Sequence, residues 1–169
     1  MSISMYSASV PVFKQMLTAL AEVLAKAEAH ATANNIDAET LLQTRLYPDM
    51  FPLVRQVQIA CDFAKSVPAR LAGVEVPTYE DSEQNFAQLQ TRIANTLTIL
   101  HGFSAEQIDG SEELEVVLRP GTPKEKKLNG QTYLLSYGLP QFFFHITTSY
   151  ALLRHNGVAI GKRDFMGSY

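Results

Sequence analysis

LPQFFFHITTSYALLRHNG, residues 139–157, is the stretch on which the fold turns. Pro140 stands where the first turn of a helix tolerates a missing N–H, and Gly157 stands where helices commonly stop. Between them, Phe142, Phe143, Phe144 and Ile146 put apolar groups on nearly every side of the first two turns. A helix with so little polar face is buried on most sides, either centrally in a bundle or against a second subunit.

Working outward, Phe86, Leu89, Ile93, Leu97 and Leu100 repeat at nearly coiled-coil spacing and mark another helix. Thr78, with Asp81 three residues on, resembles a capping box and sets the start of that helix. Before it, Leu53, Val54, Val57, Ala60, Cys61 and Ala64 share a face from Phe51–Pro52 to about Lys65, with Pro68 and Gly73 as breakers. The first helix runs from Ser9, as cap, to about Ala33, and a short one carrying Leu41 and Leu42 follows Asp37. Between helices three and four, the segment Glu115–Arg119, rich in β-branched residues, the turn Pro120–Pro123 and the basic run from Lys124 predict a two-stranded hairpin. Residues 131–137 read as either a third strand or a helical lead-in, and the tail from Val158 to Tyr169 as extended chain. The sum is an all-α, antiparallel four-helix bundle with a short β-hairpin before its last helix, a single domain over residues 1–169 with up-down-up-down connections.

Composition fits that reading. At 169 residues the chain can bury a substantial core. A net charge of −3, from 14 basic and 17 acidic residues, gives no footprint for nucleic acid or an anionic membrane. The single Cys61 excludes an internal disulfide and reads as a buried structural thiol. No stretch matches a membrane span, and Met1–Ser4 lacks the basic start of a signal peptide, so a cytoplasmic protein is expected.

Phosphate loops, dinucleotide fingerprints, nucleophile elbows and H-E-x-x-H are all absent. His30 reads as surface, and His101 and His155 as helix-end caps. His145, behind three phenylalanines, is desolvated and must hydrogen-bond, either as a satisfied core residue or as a ligand or catalytic imidazole. Gln141, one turn earlier, shares its face, with Thr148, Ser149 and Leu152 beside it. Arg154 reads as an ion-pair or carbonyl-capping residue, or an anion contact at a pocket mouth.

From His145 onward, H-I-T-T-S-Y-A-L-L-R-H-N-G-V resembles the last helix of the DinB/YfiT-like superfamily of metalloenzymes. There, a metal-binding histidine precedes an L-R pair and a G-V pair, matched here by Leu153–Arg154 and Gly157–Val158. Together with L-Y-P-D-M-F-P-L at residues 46–53, it is similar to a bacterial and fungal branch carrying a domain-of-unknown-function label. The resemblance implies a dimeric four-helix bundle holding a divalent metal, zinc or nickel, on three histidines. One would come from helix two and two, spaced H-x-x-x-H, from helix four. This chain has Gln141 at one of those positions, and alignment of helix two places Gln56 at another. Two carboxamides then replace two imidazoles, a poor donor set for zinc or nickel. Asp49 and Asp62 are the remaining candidates to complete a ligand set around His145. Two functions follow as expectations. One is a bundle that has lost its metal and binds a small molecule or serves as a homodimeric scaffold. The other is a metal-dependent transferase or hydrolase with a rearranged ligand set that includes His145.

Overall fold

The computed structural model describes residues 3–169. Four long helices build the bundle: α1 (Val10–Ala33), α3 (Leu53–Leu71), α4 (Phe86–His101) and α7 (Leu139–His155). Short helices α2 (Ala38–Leu42), α5 (Ala105–Ile108), α6 (Gly130–Thr132) and α8 (Lys162–Met166) join or flank them. Strands β1 (Glu115–Leu118) and β2 (Lys126–Asn129) pair antiparallel with Val116 opposite Leu128, the expected hairpin. The core runs through all four long helices, from Phe13, Leu17 and Leu24 to Leu53, Val57, Leu89, Ile93, Phe142 and Leu152.

Helix connectivity departs from up-down-up-down. Gln56 meets His145 and Arg70 meets Tyr133, so α3 runs antiparallel to the last helix. Phe13 packs on Phe142 and His30 lies beside Gly157, so α1 and α7 run parallel. Asp109, at the end of α5, accepts from the Tyr6 N–H just before α1, while Gln90 near the start of α4 donates to the Ala21 carbonyl farther along α1, which makes α1 and α4 antiparallel. Residues 72–85 must therefore travel back along the bundle between two parallel neighbours, α3 and α4. Sequence periodicity marks helices and is blind to that crossover.

Several boundaries also move. Helix α3 passes through Pro68 to Leu71, because Pro68 forfeits one hydrogen bond while Ala69 and Leu71 are buried beyond it. Helix α4 begins at Phe86 under Asn85, whose side chain accepts from the Gln88 N–H; Asp81 is engaged elsewhere and the Thr78 cap does not form. Ser9 stands at the N-cap of α1 as expected, but its side chain makes no capping bond; its hydroxyl donates to the Met5 carbonyl at 2.6 Å. Asp37 does cap α2, accepting from the Thr40 N–H at 2.8 Å. The tail is not extended: α8 docks on α1 through the Lys26–Asp164 ion pair and a Gln15 hydrogen bond to the Met166 carbonyl.

The open segment 131–137 is helical. Helix α6 passes into a π-helical segment, Tyr133–Gly138, and then into α7, so one continuous helix spans residues 130–155. The wider π turn inserts an extra residue and re-aims what precedes it. A Cβ at Gly138 would sit 2.8 Å from Val67 Cγ2, so glycine allows the close approach to α3 at this point.

Candidate functional site

Gln56 lies in the first turn of α3 and His145 in the middle of α7, and both are buried. His145 Nδ1 stands 2.7 Å from Gln56 Oε1. Gln56 Nε2 donates to the Phe51 carbonyl at 3.1 Å, which fixes the amide so that its oxygen faces the imidazole. Nδ1 therefore carries the proton, and the lone pair of the neutral ring is on Nε2. Among the described residues, Nε2 has no hydrogen-bond partner. Burial, aided by the charge of Arg55, pushes the His145 pKa down to about 4. Phe63 stacks on the ring at 6.2 Å and Phe144 meets it edge-on at 5.2 Å. At neutral pH this group is an uncharged acceptor, and so low a pKa makes it a weak general base.

The other sequence candidates separate from it. Gln141 is half-buried, makes no hydrogen bond to His145 among the described residues, and lines a groove against the hairpin. Ser149 is buried, but its hydroxyl donates to the His145 carbonyl at 2.8 Å, and Thr148 does the same to Phe144. Arg154 is exposed and reaches the Val158 carbonyl at 3.4 Å, a capping contact. Asp49 is exposed in the loop before α3, whereas Asp62 pairs with Lys65 at 2.5 Å and Arg92 at 3.0 Å. Among the described residues, no three His, Cys, Asp or Glu side chains converge as a metal would need. The donor set at His145 is a single imidazole nitrogen, because Gln56 has given its oxygen to Nδ1. A tightly held zinc or nickel does not fit these residues.

The sequence reading missed a second polar cluster, built around Arg92. With only 2% of its side chain exposed, the guanidinium meets Asp62 at 3.0 Å, Asp81 at 2.9 Å and Glu83 at 2.9 Å. Burial works against its charge, but the Glu83 hydrogen bond and the nearby carboxylates outweigh this and raise its pKa. Tyr79 receives Lys65 over its ring at 4.7 Å and Arg92 at 5.2 Å. The cluster pins the crossover segment onto α3 and α4. Its signal was available: Arg92 and Thr96 interrupt the buried stripe formed by Leu89, Ile93 and Leu100. Cys61 lies beneath it, its thiol pushed by burial up to about 12, against a lowering hydrogen bond to Thr96. Such a thiol is inert, as a structural cysteine should be.

A family model described as a domain of unknown function (DUF1993) matches residues 5–166. Among solved structures, the crystal structure of a DinB family member protein from Shewanella denitrificans is similar at 42% identity. The similarity covers 97% of this chain and 92% of that one, with a TM-score of 0.91. A search of curated proteins finds no match.

Proposed function

The chain belongs to the DUF1993 family, and we propose that it is a DinB-like helical bundle with a degraded metal triad that binds a small molecule without a metal. The observation that carries this reading is the buried Gln56–His145 hydrogen bond. It occupies the place where the resemblance puts two metal ligands, and it leaves the Nε2 lone pair as an acceptor for a ligand donor. A histidine that stays neutral down to about pH 4 suits binding better than proton transfer near neutrality. The metal-dependent enzyme reading would need donors that these residues do not bring together.

The test is elemental analysis of protein purified without chelator or metal-affinity resin. Zinc and nickel should stay below about 0.1 per chain, well short of the stoichiometry of a tight site. Near-stoichiometric metal in the native chain would overturn the proposal.

A homodimer is part of the same proposal. Phe142 is buried and Phe143 half-buried, so Phe144, 55% exposed beside His145, supplies the apolar surface together with exposed Phe51 and Tyr47 from the loop before α3. Light scattering should give about twice the 18.7 kDa chain mass at micromolar concentration, and Phe144→Glu should return the monomer mass. A native chain at monomer mass would remove the dimer.

A further inference from the structure

A groove separates the β-hairpin from α3 and the π-helical segment. It comprises a cavity of about 560 Å³ along the hairpin and one of about 180 Å³ toward α3, both walled by Leu118, Arg119 and Tyr137. Four cations line it: Arg119, Lys124 and Lys126 from the hairpin, and Arg70 from α3. None of the four forms an ion pair among the described residues. Two carboxylates also line it, and both are committed. Asp62 holds Lys65 and Arg92, and Glu125 accepts from the Gly121 N–H at 2.7 Å.

Local structure aims these groups. Arg119 holds a φ of +52°, a left-handed backbone that costs a non-glycine residue energy, at the point where β1 enters the turn. Its carbonyl is held by the Thr122 hydroxyl at 2.9 Å. Arg70 donates to the Tyr133 hydroxyl at 3.2 Å, which fixes the guanidinium on the wall of the smaller cavity. Tyr133 and Tyr137, four residues apart in the π-helical segment, stack at 5.9 Å, and Tyr137 extends that aromatic face along both cavities. Unpaired cations and an aromatic wall together suit an oxyanion attached to a flat ring.

We propose that this groove binds a small aromatic phosphate, with Arg119 and Arg70 holding the phosphate and Tyr137 packing against the ring. Neither His145 nor Gln56 lines the groove, so the proposal stands apart from the metal-free reading of those residues. Four cations against Asp62, which is already paired, and Glu125 leave the groove net positive and favour an anion, and the larger cavity is in the size range of small-ligand pockets.

Isothermal titration with 1-naphthyl phosphate tests it, with inorganic phosphate and 1-naphthol as separate arms. The full chain should bind 1-naphthyl phosphate saturably with a Kd on the order of 0.1–1 mM, weakening as ionic strength rises. Each fragment alone should bind at least about tenfold more weakly. Arg119→Gly removes the guanidinium and also relieves the left-handed backbone. Binding should fall about tenfold or more while the thermal midpoint does not drop, a pair of changes that misfolding cannot produce. Lys127→Ala, which removes a hairpin cation paired with Glu115, should leave binding unchanged. The proposal is overturned by no saturation with 1-naphthyl phosphate, by equal binding of 1-naphthol, or by unaltered affinity in Arg119→Gly.

Discussion

Replacing Arg92 with alanine should destabilise the fold by about 3–5 kcal/mol, because the carboxylates gathered round a buried guanidinium would lose their shared partner. Arg92 holds Asp62, Asp81 and Glu83 at once and donates to the Glu80 carbonyl at 3.2 Å. Lys65 would remain for Asp62, Arg55 for Asp81 and the Gln58 amide for Glu83, so compensation is partial. Arg92→Met keeps most of the volume and should recover only the packing share of the loss. A double-mutant cycle with Glu83→Gln should show coupling of about 1–3 kcal/mol, as for residues in one network. Urea unfolding measures all three. A loss below about 1 kcal/mol in Arg92→Ala would mean that the cluster behaves as a solvated surface network rather than a buried anchor. The crossover is the element at risk, since it has no regular structure and carries Tyr79, Asp81 and Glu83 to the cluster.

That cluster also shows what was legible in the sequence. The four long helices could be read because apolar residues repeat with helical period, and the hairpin because a segment holding Val116 and Val117 runs into turn chemistry. Which helix neighbours which could not. The parallel α3–α4 pairing depends on Arg92 reaching Asp62 across 30 residues, and no local pattern encodes that. Pro68 misled for a related reason: a local breaker was overruled by burial of the residues after it. At the candidate site, Gln56 and His145 stand 89 residues apart, and only family resemblance suggested their meeting. Gln141 shares a helical face with His145, yet one face can serve two environments. It lies against the hairpin groove, whose existence depends on an insertion and on a π-helical segment that apolar spacing does not reveal.

Acidification should weaken the fold through His145 specifically. In the folded chain its pKa is about 4, against about 6.5 in an unfolded one, so the unfolded state binds the extra proton between those values. Stability therefore rises with pH across roughly pH 4–6.5 and is fully present above it; it falls as pH drops through this window. At pH 5 the loss relative to pH 7.5 should be about 1–2 kcal/mol, somewhat below the full linkage value because protein and water can reorganise around a charged ring. His145→Ala should lower stability at pH 7.5 by about 2–3 kcal/mol, from the stranded Gln56 oxygen and the cavity left beside Phe63. The same substitution should remove the acid-dependent part, so native and variant stabilities converge as pH falls from 7.5 to 5. Urea melts of both proteins at the two pH values check this, and equal pH slopes would mean that His145 is solvated in the folded state. The sign bears on function as well. An imidazole that stays neutral throughout the physiological range offers Nε2 as a constant acceptor, so a ligand held there should bind with affinity independent of pH above about 5, weakening below it as protonation of Nε2 removes the acceptor.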